Sequence, residues 1–273
     1  MPLEINLDDA QEIAVKLALD AGRYSQEFFG KVEAEWKSEI ISSTLCTSIH
    51  NCVTPVDRAC QKIITDGLKK AGFNKYTGII AEEQSEDILD FTDNPHLRWV
   101  IDPIDGTFNY ASANARTKAK MEKIIKRELK NNPQLYGISI GLQHNQNEFL
   151  LGVIFLPFLE ELYIAQRGGG ATKNGNPLAI PQTGFTDGSK IHINSQSDFL
   201  RSILMCYEQP FCTIYSITGI ASGRNAGFFA KNTHIHDVGP ASAVVLEAGG
   251  YCSGKYNQPT DYSKLPEADN IPV

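Results

Sequence analysis

Apolar residues recur at helical spacing in the first quarter of the chain. Between residues 8 and 29 the apolar positions fall three or four residues apart, at Ile13, Leu17, Ala21, Tyr24 and Phe28. This spacing predicts a helix with one core-facing stripe, capped by Asp8 or Asp9. A second helix is predicted after Thr54-Pro55-Val56-Asp57, because threonine suits the cap, proline the first turn, and Asp57 a capping box. The polar segment 33–53 between them predicts a loop or irregular hairpin.

Two short apolar runs without helical spacing predict buried strands that end in acids. The run 99–101 leads into Asp102-Pro103-Ile104-Asp105-Gly106-Thr107, where the proline is expected to end the strand ladder. The run 77–81 leads into Glu82 and Glu83. Adjacent residues of an extended segment face opposite sides, so we expect at most one of these glutamates to face a given metal ion.

The second half of the chain alternates between strand and helix patterns. Residues 115–129 predict a basic helix that is mainly solvated. Three antiparallel strands are predicted at residues 136–143, 148–155 and 161–166. A helix at 216–223 and a strand at 227–229 follow. The last helix opens at His236-Asp237-Val238-Gly239-Pro240 and ends at Gly249-Gly250. Asp237 therefore lies at a predicted helix N-terminus.

Length and composition favour one globular unit. The 273 residues, 42% of them hydrophobic, predict two sub-layers that share a core, at about residues 1–180 and 181–273. The first would carry most of the candidate metal ligands and the second Asp237. The net charge of -7 disfavours a nucleic acid polymer as partner. No membrane-length apolar run and no signal peptide are evident, so we expect a cytoplasmic protein without a membrane partner. The six cysteines lack a Cys-x-x-Cys pair, which favours free thiols.

Acidic residues at the ends of several predicted strands and helices indicate a site that binds metal ions and phosphate. Carboxylates alone repel phosphate, but carboxylates that hold hard cations beside the backbone amides of Gly106 and Thr107 would bind it. Taken singly, the Asp-Pro-x-Asp-Gly block is typical of a turn, and capping alone explains Asp57 and Asp237. The recurrence of the acids favours the metal interpretation. His234-x-His236-Asp237 hints more weakly at zinc, because on a strand the two histidines would face away from Asp237.

The full set of candidate site residues resembles the inositol monophosphatase family. The set consists of Asp57, Glu82-Glu83, the block from Asp102 to Thr107, and Asp237. Their order and approximate spacing agree from the first helix to Gly250. The resemblance implies an α+β fold of the layered αβαβα sugar-phosphatase type and a lithium-sensitive hydrolase that uses two or three Mg²⁺ ions. It also implies a homodimer and a small phosphorylated substrate, such as a sugar or polyol phosphate like inositol monophosphate.

The same resemblance implies roles for individual residues. The metal ligands would be Glu82, Asp102, the carbonyl of Ile104, Asp105 and Asp237. Glu82 and Thr107 would position the attacking water, and Asp57 would assist them. The contacts to substrate would come from Asp105, Gly106, Thr107 and Asp237.

Departures from the family pattern leave alternatives open. His236 stands where the family usually has tryptophan, and Ala230 stands seven positions before Asp237, where a polar residue commonly contacts substrate hydroxyls. Ala230 is therefore expected to border the pocket beside the carboxylate of Asp237, and it predicts weak selectivity for inositol. Alternative activities are those of a fructose-1,6-bisphosphatase or a 3'(2'),5'-bisphosphate nucleotidase of the same superfamily. A catalytically silent, metal-binding regulatory homologue is a further alternative, of another class.

Overall fold

The protein is described by a computed structural model that covers residues 5–37, 52–125, 131–181, 189–194, 207–231, 233–254 and 260–265. Six α-helices lie within these residues: α1 (Leu7–Glu27), α2 (Pro55–Lys70), α3 (Thr107–Ala111), α4 (Ala115–Ile125), α5 (Thr213–Ala221) and α6 (Ile235–Glu247). The strands are β1 (Glu35–Trp36), β2 (Cys52–Val53), β3 (Gly78–Ala81), β4 (Leu97–Asp105), β5 (Gly137–His144), β6 (Glu148–Leu156), β7 (Glu161–Gln166), β8 (Gly170–Lys173), β9 (Asn176–Leu178), β10 (Ile191–Asn194), β11 (Tyr207–Glu208) and β12 (Gly227–Ala230).

A seven-stranded sheet with the order β3-β4-β5-β6-β7-β8-β9 is the centre of the fold. β3 and β4 are parallel, and every later pair in this sheet is antiparallel. Residues alternate between its two faces, so Trp99 and Ile101 of β4 join one hydrophobic core while Val100 joins the other. Both faces are covered, which explains why β4 is almost continuously apolar before its acids.

Helices and a second sheet build layers on the central sheet. α1 and α2 pack on one face, α6 packs on the other face, and α5 lies against α6 and β12. β12 belongs to a small parallel sheet with the order β11-β10-β12. Four layers thus follow one another in the described residues, and the predicted α+β fold class is confirmed. The division into sub-layers near residue 180 stays a prediction.

The helix starts follow local capping chemistry. Thr54 and Asp57 form the predicted capping box at α2. At α1 the predicted cap is wrong, because the side chain of Asn6 accepts the N–H groups of Asp8 and Asp9 at 3.0 and 3.5 Å. The two acids instead occupy the first turn, where a negative charge is favourable beside the positive end of the helix dipole.

Pro103 distorts β4 but does not end it. Asp102 pairs with Ser139 and Asp105 with Gly137, so the register shifts between the two aspartates in a bulge. The prediction that the ladder stops at the proline is therefore wrong, because a bulge accommodates a residue without an N–H and pairing resumes beyond it. Gly106 follows with φ 84°. A Cβ at this glycine would lie 2.9 Å from the carbonyl oxygen of Leu135.

The remaining predicted elements are found close to their expected positions. β5, β6 and β7 match the three predicted antiparallel strands within a residue or so at either end. Of the segment 33–53, β1 and β2 form an antiparallel pair at its two ends, and residues 38–51 lie outside the described part. Residues 126–129 of the predicted basic helix also lie outside it. Among the described residues, none of the helices combines the length and apolar character needed to cross a membrane.

Candidate functional site

Three carboxylates from two distant parts of the chain converge in one cavity. Asp102 and Asp105 lie on either side of the β4 bulge, and Asp237 lies in the first turn of α6. One oxygen from each can be chosen so that all three lie within 4.8 Å of one another. The cavity has a volume of about 70 Å³. Sequence positions 102 and 237 are thus brought together because α6 packs on the face of the sheet and contacts β4.

Each of these carboxylates is held by one backbone amide. Oδ1 of Asp102 accepts the N–H of Ile104 at 3.0 Å, and Oδ2 of Asp105 accepts the N–H of Ile214 at 3.0 Å. Oδ2 of Asp237 accepts the N–H of His234 at 2.7 Å. One oxygen of each side chain is therefore fixed, and the second oxygen remains for another ligand, since a carboxylate oxygen has two lone pairs.

The electrostatics of this carboxylate cluster favour a bound cation. Burial, together with the charges of Glu82, Asp105 and Asp237, raises the pKa of Asp102 well above its ordinary value. Burial and the charge of Asp237 raise the pKa of Asp105 to about 7. Without a counter-ion these buried carboxylates resist ionisation. Their donor atoms are all oxygens, so the cluster fits a hard divalent cation such as Mg²⁺.

Glu82 extends the acidic wall of the cavity and is paired with a lysine. Lys37 Nζ lies 2.9 Å from Oε1 of Glu82 and 2.8 Å from Oε1 of Glu83. Burial alone would lower the pKa of Lys37, but the two glutamates raise it above its ordinary value. Glu82 lines the cavity. The backbone of Glu83 exchanges hydrogen bonds with the side chain of Gln61 at 3.0 and 2.7 Å.

Thr107 connects the cavity to Asp57 behind it. Its hydroxyl lies 2.7 Å from Oδ1 of Asp57 and 2.8 Å from the carbonyl oxygen of Ile104. The other oxygen of Asp57, Oδ2, accepts the N–H of Thr54 at 2.9 Å. Asp57 is fully buried, and burial followed by the charge of Glu82 raises its pKa to about 6. Capping and contact with the site are therefore compatible, because each uses a different oxygen.

The predicted site residues separate into cavity-lining and supporting groups. The cavity is lined by Glu82, Asp102, Ile104, Asp105, Gly106, Thr107 and Asp237. Asp57 reaches it only through Thr107. The roles implied for these residues stay predictions. Ala230 lines a different cavity, together with Phe228 and Val238, so the expectation that it borders the carboxylates is wrong. Residue 230 ends β12, whereas Asp237 lies in the first turn of α6.

Sequence analysis missed several residues that shape the cavity. Lys37 lies 45 positions before Glu82, and no local pattern links the two. Phe211 and Thr213 line the cavity. The chain at Phe211 has φ 56°, which is unusual for a bulky residue and is the kind of strain found at binding sites. Asn109 Nδ2 donates to the carbonyl oxygen of Pro210 at 2.8 Å and holds this segment in place.

The geometry assumed for the weaker zinc hypothesis is also corrected. His234 caps α6, and His236 and Asp237 lie in its first turn, so none of them is on a strand. One ligand atom from each of the three can be chosen so that all lie within 4.8 Å. The helical turn brings together side chains that a strand would separate.

The fold and the carboxylate cluster define a layered α+β protein with a candidate acidic metal-binding cluster beside a helix start. The profile described as "Inositol monophosphatase family" matches residues 6–267, and the chain belongs to this family. The predicted resemblance is thereby confirmed.

Relatives carry several names. A "Nus factor SuhB" of Xylella fastidiosa is 28% identical over 255 residues, covering 89% of this chain and 80% of the relative. An "Inositol-1-monophosphatase" of Synechocystis is 27% identical over 266 residues, covering 92% and 81%. A "Histidinol-phosphatase" of Chlorobaculum parvum is 28% identical over 255 residues, covering 88% and 84%. The crystal structure of an extragenic suppressor protein suhB from Bartonella henselae has a TM-score of 0.74 at 22% identity, covering 94% of this chain and 91% of that one. That likeness concerns the fold.

Proposed function

We propose that the protein is a Mg²⁺-dependent phosphomonoesterase that hydrolyses a small sugar or polyol phosphate. Membership of the family supports phosphatase activity. The observation that carries the proposal further is the cluster of Asp102, Asp105 and Asp237, in which each carboxylate has one oxygen fixed by an amide and one remaining for a cation. Lithium sensitivity and a homodimer remain predictions from the resemblance, and a cytoplasmic location remains a prediction from the sequence.

Divalent cations bound here would neutralise phosphate oxygens and lower the pKa of a water molecule. The residues proposed to hold them are Glu82, Asp102, the carbonyl of Ile104, Asp105 and Asp237. Gly106 and Thr107 begin α3, where backbone N–H groups without helical partners are available to a phosphate oxygen. With Asp105 and Asp237 they form the proposed substrate-binding set.

The proposed catalytic group consists of Glu82 and Thr107, with Asp57 as a positioning residue. The Thr107 hydroxyl is directed by Asp57 and the carbonyl of Ile104, so its remaining lone pair can receive a hydrogen from water. Glu82 lies on the same cavity wall and can accept a second hydrogen from that water. These two contacts would orient the nucleophile for in-line attack on phosphorus.

The cavity selects for phosphate more strongly than for any particular alcohol. The alcohol part of the substrate would lie toward Phe211 and Thr213, which line the same cavity as the carboxylates. Thr213 can hydrogen-bond to a substrate hydroxyl. This arrangement supports a compact monoester as substrate, and it leaves the identity of the alcohol to segment 210–213.

Phosphate release from a substrate panel tests the proposal. The panel should contain inositol 1-phosphate, other sugar and polyol phosphates, histidinol phosphate, fructose 1,6-bisphosphate and a nucleoside 3',5'-bisphosphate. We expect Mg²⁺-dependent turnover of at least one monoester, abolished by EDTA. Failure to turn over any member with Mg²⁺ would favour the silent regulatory homologue, and a preference for a bisphosphate would favour the two superfamily alternatives.

Glu82 and Glu83 provide a matched pair of variants. Glu82→Gln is expected to lower kcat by about a hundredfold or more, because it removes a proposed metal ligand and water contact. Glu83→Gln should lower kcat by less than about tenfold, since its side chain pairs with Lys37 without lining the cavity. Steady-state kinetics at saturating Mg²⁺ measures both. Equal losses would contradict the proposed orientation of the two residues.

A further inference from the structure

Two imidazole rings converge on Asp237 at the edge of the carboxylate cavity. The rings of His234 and His236 lie with 5.2 Å between centroids and 3° between planes. Nδ1 of His234 is 3.5 Å from Oδ2 of Asp237, and Nε2 of His236 is 3.6 Å from Oδ1. Each oxygen of Asp237 thus faces one ring. All three side chains line the cavity.

His236 is buried without adequate hydrogen bonding. Its side chain is 4% exposed, and its Nδ1 has no hydrogen-bond partner in the part of the chain that the structure describes. The distance of 3.6 Å from Nε2 to Asp237 exceeds an ordinary hydrogen bond. The nitrogen that faces Asp237, Nε2, therefore lies outside hydrogen-bond distance of that carboxylate and can serve as a ligand atom.

We propose that His234, His236 and Asp237 form a second cation site, selective for a borderline divalent ion such as Zn²⁺ or Co²⁺. Imidazole nitrogen suits these ions, whereas Mg²⁺ prefers oxygen ligands. Two imidazoles and one carboxylate leave the fourth position of a tetrahedral ion open toward the cavity. Asp237 belongs both to this imidazole site and to the carboxylate cluster, so the two sites are adjacent and chemically different.

The three side chains are close to the arrangement that an ion requires. Ligand atoms about 2.1 Å from a tetrahedral ion are about 3.4 Å apart, and the three chosen atoms already lie within 4.8 Å of one another. Small changes in the side-chain torsions would supply the remaining closure. The N-terminus of α6 disfavours a cation. The negative charge of Asp237, which is itself a proposed ligand, outweighs this partial positive charge.

A Co²⁺ titration of the full-length protein, stripped of metal with EDTA, tests the imidazole site. Tetrahedral Co²⁺ with nitrogen ligands absorbs visible light much more strongly than octahedral Co²⁺ among oxygens. We expect intense visible bands that saturate with one ion in the unmodified protein and also in Asp102→Asn. His236→Phe keeps an aromatic ring without nitrogen, so the bands should disappear. In His234→Gln the Co²⁺ affinity should fall by about tenfold or more.

His96→Gln is the matched control, because His96 is exposed and hydrogen-bonded to Asn145 away from the cavity. It should leave the bands unchanged. Bands that persist in His236→Phe, or that are absent from the unmodified protein, would overturn the proposal. If His236→Phe does not fold, unchanged affinity in His234→Gln would do so. Absorbance does not depend on turnover, so the imidazole site and the proposed phosphatase activity can fail separately.

Discussion

Replacing Asp102 with asparagine is expected to reduce Mg²⁺-dependent phosphate release by at least about a thousandfold. Oδ1 of Asp102 is fixed by the N–H of Ile104, and the side chain belongs to the carboxylate cluster. Asparagine keeps the size of the side chain but removes the charge that would bridge the cations. Phosphate release at saturating Mg²⁺ with the best substrate of the panel measures the loss.

The same substitution should not destabilise the metal-free fold. Burial and neighbouring charges oppose ionisation of Asp102, so a neutral amide removes no charge on which the metal-free fold depends. The denaturation midpoint in EDTA is therefore expected to equal or exceed that of the unmodified protein. Asp66→Asn is the control, because Asp66 is half exposed and pairs with Lys62 and Lys69 on the surface. Near-normal activity of Asp102→Asn would remove Asp102 from the proposed metal site.

Without metal, the repulsion within the site is expected to make the protein less stable as the pH rises from about 5 to about 7. Asp105 and Glu83 have pKa values of about 7, and that of Asp57 is about 6. Burial is the main cause of all three increases. A carboxyl group whose folded pKa exceeds its unfolded pKa destabilises the fold above the folded pKa, and this penalty vanishes below the unfolded pKa. A tenfold difference between the acid dissociation constants of a group in the folded and unfolded states changes the free energy of unfolding by about 1.4 kcal/mol.

Two groups act in the opposite direction, so the comparison needs a matched variant. Burial lowers the pKa of His192, which costs stability as the pH falls below its ordinary value. For Asp237, burial raises the pKa, but His236 and His234 outweigh this and lower it to about 2. Asp237 therefore stabilises the fold at pH values above its unfolded pKa. This stabilisation is lost as the pH falls toward its folded pKa of about 2. The difference between the unmodified protein and Asp105→Asn isolates the contribution of Asp105.

Thermal unfolding in EDTA between pH 5.5 and 7.5 measures this effect. The unmodified protein should lose about 5 °C or more of Tm, relative to Asp105→Asn, as the pH rises across this range. Saturating Mg²⁺ should abolish the relative loss, because the cation stabilises the ionised carboxylates. A difference that does not depend on pH would show that Asp105 ionises freely in the metal-free protein.

Local sequence signals predicted the parts of the fold whose geometry is itself local. The capping box at Thr54 and Asp57 lies within one turn of chain, and Gly106 supplies a backbone conformation that few other residues adopt. The apolar run before Asp102 identified the buried strand without knowledge of its partners. The acids at the ends of predicted elements then identified most of the predicted residues that line the cavity. Their roles were inferred from the family resemblance.

Features that depend on distant packing were not predictable from these signals. The pairing of Lys37 with Glu82 joins residues on separate elements, and no periodic pattern records it. The imidazole site depends on whether residue 234 precedes a strand or a helix, because the two conformations send side chains in different directions. The location of Ala230 was predicted wrongly for a related reason. Ala230 lies seven residues before Asp237, and its strand ends between the two residues, so this spacing does not determine which cavity Ala230 lines.

The three amides that anchor the carboxylate cluster differ in how far they reach along the chain. Asp102 and Asp237 bond to amides two and three residues away, whereas Asp105 bonds to Ile214, which is 109 positions away. Two anchors therefore form with their own turn and helix cap, and the third forms only when α5 docks. Ion affinity thus reports on the docking of α5. A substitution that loosens this helix far from the cavity would weaken ion binding before it unfolds the protein.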